Sequence, residues 1–189
     1  MGNDYLTNPL EFLLRTLINL YTFAVLLRWV LQRARADFYN PISQLIVRIT
    51  QPPLTVFKRI IPDIAGLDTP AIALMILLQM LAWMLTGALN GAIPSALALL
   101  ALSLAELVSM TVSLLFFSIL IQTVLSWFNA DHSRHPTLAL LHSINDPLLA
   151  PVRRLLPNTG GLDFSPLVVL LGLKVLEMLL VPPILALAQ

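Results

Sequence analysis

The sequence has 189 residues, 58% of them apolar and 11% charged, with a net charge of +1 and no cysteine. Soluble domains carry roughly 25% charged residues. The apolar residues here also come in unbroken blocks that a core of this size cannot bury, so the composition excludes a soluble globular domain and points to an integral membrane protein. The lack of cysteine excludes disulfides, thiol catalysis and thiolate-held metal.

The first nine residues are polar and acidic, with no basic n-region and no cleavage pattern, so the first apolar block is expected to be retained. That block predicts a first span at about 10–31. It carries Glu11, Arg15, Asn19 and Thr22 as one polar stripe, and Arg28 and Trp29 as interfacial anchors. A basic segment follows at 32–69. In it Ile42, Leu45, Ile46 and Ile49 share a helical face, and Leu54, Phe57, Ile60 and Ile61 continue an apolar face after an expected break at Pro52-Pro53. These stretches are too short to span and too apolar for water, which predicts amphipathic helices lying in the membrane interface.

Thr69-Pro70 starts the second span, at about 70–89, with Thr69 or the preceding Asp68 able to cap it. Asn90-Gly91 makes a turn, and the longest apolar run opens at Pro94-Ser95. Its first turns are expected to project, tilt or lie at the interface before a third span at about 103–128. Ala101, Ala105, Ser109 and Ser113 form a small-residue stripe that lets another helix approach. A second basic segment covers 129–165, with a helical stretch from Pro136 to Asn145, and Ser165-Pro166 opens the last span at about 166–183.

The two basic segments are copies. Pro41, Leu45, Ile49, Pro52, Arg59, Pro62, Gly66 and Asp68 meet Pro136, Leu140, Ile144, Pro147, Arg154, Pro157, Gly161 and Asp163 at one constant shift, Lys58 meets Arg153, and Pro70 answers Pro166 after a one-residue insertion. The fold expected is all-α: two helix–basic segment–helix repeats, residues 1–90 and 91–189, with four transmembrane helices. Of eleven Lys and Arg, eight lie in the two repeat segments, and four spans place both segments on the same, cytoplasmic side. Both termini are then expected outside, with the repeats parallel about an axis along the membrane normal.

Four sets of residues stand out. Lys58, Arg59, Arg153 and Arg154 sit beside interfacial apolar residues, where they either anchor the topology by snorkelling or hold phosphate head groups or a partner. Gly66-Leu67-Asp68 and Gly160-Gly161-Leu162-Asp163 read as tight re-entry corners rather than phosphate loops, since no Lys-Ser/Thr follows. Asp131, His132 and His135 resemble a metal cluster in composition but lie in an irregular loop without a counterpart in the first copy. No metal or cofactor is expected, and no histidine lies inside a span for paired haem ligation. Arg15, Glu106, Lys174 and Glu177 are charges within spans and should face the bundle or an aqueous cavity. Counted from the cytoplasmic ends, Arg15 and Glu177 lie at roughly 21 and 17 Å, which lets them pair. Lys174 and Glu177, one turn apart, can instead pair with each other, and Glu106 is expected near the outer surface.

The motif P-x-x-P-x-R-R-x-x-P followed by G-G-L-D-F-S-P in the second copy, with D-F-Y-N-P at 37–41 in the first, resembles the YggT family of bacterial inner-membrane proteins. The first copy departs from it, with Lys58 for Arg153, Ala65 for Gly160 and nothing matching Phe164. The resemblance implies a multi-pass inner-membrane protein linked to osmotic stress tolerance and potassium homeostasis, with chloroplast relatives tied to cytochrome b-f maturation and nucleoid organisation. It implies no catalytic residue. No Ser-His-Asp order, H-E-x-x-H, Walker or Rossmann loop is present. The expected function is therefore a non-enzymatic scaffold or assembly factor that engages the phospholipid bilayer and a membrane-protein partner or further copies of itself, and no nucleic acid. A small ion-conducting or transport oligomer is the alternative, and a haem-handling role comes third.

Overall fold

A computed structural model describes residues 4–64, 66–127, 136–156 and 163–188, and within them the chain is all-helical. Six helices follow in order: α1 (Asp4–Arg33), α2 (Pro41–Ile60), α3 (Thr69–Leu89), α4 (Ala96–Trp127), α5 (Pro136–Leu155) and α6 (Ser165–Ala186). Among the described residues α1, α3, α4 and α6 are the helices long and apolar enough to cross a membrane. Pro157, Gly160, Gly161, Asp131, His132 and His135 lie outside the described residues.

The caps follow from the sequence chemistry. Asn40 accepts the Ile42 N–H ahead of Pro41, and Ser95 accepts the Ala98 N–H ahead of α4. At α3 the cap is Asp68, whose Oδ1 accepts the Ala71 N–H at 3.2 Å. Of the two candidates the sequence offers, Thr69 turns away and donates its hydroxyl to the Pro62 carbonyl at 2.6 Å. A carboxylate one residue earlier wins because its charge also favours the positive helix end. α4 runs unbroken from Ala96, so the early turns of the third apolar run are one helix with the span.

The prolines do not break the interfacial helices as expected. α2 runs through Pro52 and Pro53, and α5 continues past Asn145 through Pro147 and Pro151. A helix-interior proline removes the donor to the carbonyl four residues back. For Pro53 that carbonyl is Ile49, and the Tyr21 hydroxyl of α1 donates to it at 3.3 Å. A neighbouring helix thus replaces what the ring removed. The faces of α2 suit a helix lying in the interface. Ser43, Ile46, Thr50 and Leu54 are buried, while Leu45, Ile49, Val56 and Ile60 form an outward apolar stripe. Thr50 turns inward where Arg28 of α1 donates to it, and the aliphatic stripe is left for lipid.

The contacts repeat. α1 packs on α3 as α4 packs on α6, α2 bridges α1 and α3, and α5 bridges α4 and α6. α3 joins the halves by packing on α4. Cross-helix pairs fix α1 and α3 as antiparallel: Asn90 Nδ2 donates to Glu11 and Gln79 Nε2 to Asn19, so the numbering falls along one helix as it rises along the other. The turn from α3 into α4 requires Gly87, because a Cβ there would stand 2.6 Å from the Ala92 carbonyl oxygen and 2.7 Å from Pro94 Cδ. The main core gathers Val25, Leu26, Leu54, Leu74 and Met75 of the first repeat with Leu114, Leu140 and Ile144 of the second. A smaller cluster of Val112, Ile119, Leu149 and Leu173 holds the second. α6 lies at the edge, exposing Leu167, Leu171, Met178 and Leu179.

Candidate functional site

Each basic segment ends in a corner where the chain re-enters a span, and the two corners use one device. In the first repeat Lys58 Nζ lies 3.4 Å from Asp68, whose side chain is 2% exposed and also caps α3, and 3.9 Å from Asp63. In the second, Arg153 Nε donates to Asp163 Oδ2 at 2.7 Å, while Asp163 Oδ1 accepts the Ser165 N–H at the start of α6. Lys58 and Arg153, and Asp68 and Asp163, are related by the same shift of 95 positions. The first basic residue of each pair therefore clamps the end of the interfacial helix to the start of the next span. Burial pushes the Asp163 carboxyl up, but hydrogen bonds from Ser165 and the Arg153 guanidinium outweigh it and hold the group below the usual carboxylate range.

The second basic residue of each pair is placed differently. Arg59 and Arg154 are exposed and enter no ion pair among the described residues. Pro52, Pro62, Gly66 and Asp68 belong to the first corner and its approach. Gly66 adopts φ +76°, which its lack of Cβ permits, and Ile64 and Leu67 exchange both backbone hydrogen bonds around it. Pro147, Asp163 and Pro166 occupy the matching positions of the second repeat.

Behind the corners lies a buried polar network that the sequence reading did not single out. Ser118 Oγ donates to Asn145 Oδ1 and Asn145 Nδ2 to Gln122 Oε1, both at 2.6 Å, and Gln122 Nε2 meets His142 Nδ1 at 3.0 Å. His142 lies 3.4 Å from Asp146, and Asp146 3.8 Å from Arg153 Nη1. Polar contacts thus run from the middle of α4 to the corner before α6. The first repeat answers with a shorter version, in which Arg28 Nη1 of α1 donates to Thr50 Oγ1, 3.1 Å away in α2. Thr50 and Asn145 are 95 positions apart and both fully buried, and Arg28 and Gln122 are 94 apart. The readable signal was Gln122 inside an otherwise apolar span and the extension of the repeat alignment by one residue beyond Ile49 and Ile144.

The charges inside the spans form two pairs. Arg15 lies 3.8 Å from Glu106 of α4 and stacks over the Trp83 ring at 3.9 Å. Lys174 Nζ donates to Glu177 at 2.9 Å, with the Phe116 ring 5.2 Å away. Arg15 therefore meets Glu106, not Glu177. Equal depth does not make helices neighbours, and among the described residues α1 and α6 share no contact, whereas α1 touches α4. Glu106 and Ser109, which lies beside Glu177, are one turn apart on one face of α4, about 4.5 Å apart in rise, so the two pairs sit at similar levels along α4. Among the described residues no group of three His, Asp or Glu side chains is placed to hold a metal ion.

A family's sequence model described as CCB3/YggT matches the chain twice, over residues 7–89 and 101–184. An uncharacterized Pseudomonas aeruginosa protein, PA0392, is 46% identical over 172 residues, covering 90% of this chain and 87% of that one. An uncharacterized protein encoded in the proC 3′ region of Vibrio alginolyticus is 39% identical, over 88% of this chain and 90% of its own. The Escherichia coli K12 protein YggT, also uncharacterized, is 36% identical over 90% of this chain and 88% of its own. No solved structure matches significantly.

Proposed function

The chain belongs to the CCB3/YggT family, and from that premise we propose that it works as a non-enzymatic membrane scaffold or assembly factor. Its basic face sits on the cytoplasmic side of a bacterial inner membrane, both termini lie in the periplasm, and the face engages a partner membrane protein. The observation that carries this reading is the duplicated presentation of arginine. In each repeat one basic residue is fixed by an aspartate while the next, Arg59 or Arg154, is left exposed at the same position of the corner. Anchoring alone has no need of a fixed neighbour. A charge placed beside a fixed neighbour in two corresponding corners suits recognition of an anionic group on another protein at the membrane surface.

The test replaces both exposed residues and spares the clamps. Arg59→Ala with Arg154→Ala should leave the protein folded and membrane-inserted, yet fail to restore osmotic-stress growth to a strain lacking the chain. Crosslinking and mass spectrometry from native membranes should lose the partner at the same time. Full complementation by the double variant would refute the reading.

A second reading, a small ion-conducting oligomer, is favoured by the charge level around α4, where Arg15, Glu106, Lys174 and Glu177 gather within the spans. It requires ion flux in liposomes that Glu177→Gln alters; absence of flux across several ions would retire it.

A further inference from the structure

The end of α1 closes with an unusual residue. Arg35 N–H bonds the Gln32 carbonyl at 3.2 Å and Ala36 N–H the Leu31 carbonyl at 3.0 Å, the paired bonds of a Schellman helix end. That motif puts its penultimate residue in the left-handed region, where glycine is the usual occupant. Here the residue is Arg35, with φ 51°, the sole non-glycine residue at positive φ among the described residues. A side chain in that conformation costs stability, and such strain persists where something else requires the side chain.

Arg35 lines a recess of about 210 Å³ at the basic end of the first repeat, together with Trp29, Gln32 and Arg33 of α1 and the 66–68 corner. Arg33 and Arg35 are exposed and enter no ion pair among the described residues. The one carboxylate on the wall, Asp68, is already engaged by Lys58 and by the N–H of Ala71. The recess therefore keeps an excess of positive charge. Trp29 sets its depth, because an indole near the end of an apolar span sits at head-group level. The second repeat has no equivalent: at shifts of 94 and 95 Arg33 meets Trp127 or Phe128, and Arg35 meets Asn129 or Ala130.

We propose that this recess is a binding site for the phosphate of an anionic phospholipid head group, one per chain, with Arg33 and Arg35 as its cationic jaws, Gln32 as a neutral donor and Trp29 as the wall against the glycerol region. Arginine suits the task, because its planar fork meets phosphate oxygens bidentately. The acyl chains would leave along the lipid-facing side of α1. The site does not depend on Arg59 and Arg154, so it can fail while the scaffold reading stands, and the reverse.

The experiment titrates the purified full chain with phosphatidylglycerol or phosphatidylcholine and reads bound lipid by native mass spectrometry. Wild-type protein should retain phosphatidylglycerol and lose phosphatidylcholine. Arg33→Gln with Arg35→Gln should weaken phosphatidylglycerol binding about thirty-fold, on the basis of two cations each contributing at an anionic surface. Arg59→Gln with Arg154→Gln should change it less than about three-fold. Arg35→Gly gives a readout that unfolding cannot mimic: it should raise the melting temperature by relieving the helix end while reducing phosphatidylglycerol retention. Equal retention by wild type and the Arg33/Arg35 double variant would overturn the proposal. So would displacement of the lipid by inorganic phosphate at matching concentration, or an Arg35→Gly protein that is no more stable than wild type.

Discussion

Asn145→Leu tests the buried network directly. Asn145 is completely buried and makes two 2.6 Å hydrogen bonds, one accepted from Ser118 and one donated to Gln122. Leucine fills nearly the same volume, so the change removes polarity without opening a large cavity. Ser118 keeps a partner, because its hydroxyl also reaches the Leu115 carbonyl at 2.8 Å. Gln122 Oε1 loses its donor. A buried acceptor left unsatisfied costs about 1–3 kcal/mol, and hydrogen bonds within membrane proteins average about 0.6 kcal/mol each, with a maximum of about 1.7. The expected loss is therefore about 2 kcal/mol. Equilibrium unfolding in mixed micelles, titrated with a denaturing detergent, measures it. The second arm is Asn145→Leu with Gln122→Leu. Replacing both partners removes the orphan, so the double variant should recover at least about 1 kcal/mol of the loss. A single variant within about 0.5 kcal/mol of wild type, or a double variant as poor as the sum of the two singles, would refute the network as drawn.

Two further outcomes follow. Gly87→Ala should destabilise by about 1–3 kcal/mol through the collision with Ala92 and Pro94, whereas Gly172→Ala, where an added Cβ meets nothing within 4 Å, should be neutral or slightly stabilising. Equal melting temperatures for the two would remove the steric account of the turn. Asp163 should give stability an acid arm. Its folded-state pKa lies below the unfolded one, so its contribution is present above the ordinary carboxylate range and is lost as pH falls through the lowered value. The stability gap between wild type and Asp163→Asn should accordingly close on acidification; a gap unchanged into strong acid would count against the Arg153–Asp163 clamp.

The helices were legible because their causes are local. Unbroken apolar runs mark the four long helices, and Asp68, Thr69 and Pro70 mark the start of α3 through cap and proline chemistry. The duplication was legible too, since identical residues recur at one shift. It named Lys58, Asp68, Arg153 and Asp163 as motif members but not as partners of one another, because they stand ten positions apart along the chain and only the fold brings them within 4 Å. Arg15 shows the limit most plainly. Its height along the axis could be counted, but the helix beside it could not, and the neighbour decided the partner. For α2 the pattern marked an interfacial helix, and Leu45, Ile49 and Ile60 do face outward, but it did not show that Ile46 and Leu54 turn inward where α2 packs on α1 and α3.

The tyrosine that donates to the Ile49 carbonyl has a consequence for biogenesis. A segment interrupted by Pro52-Pro53 is a poor helix by itself, and its ladder is mended by a group from the preceding span. The ribosome delivers that span first. The surface helix can therefore complete its winding only after its predecessor is seated in the bilayer, which gives the first half of the molecule a built-in order of assembly: crossing first, then the segment laid along the surface, then the return.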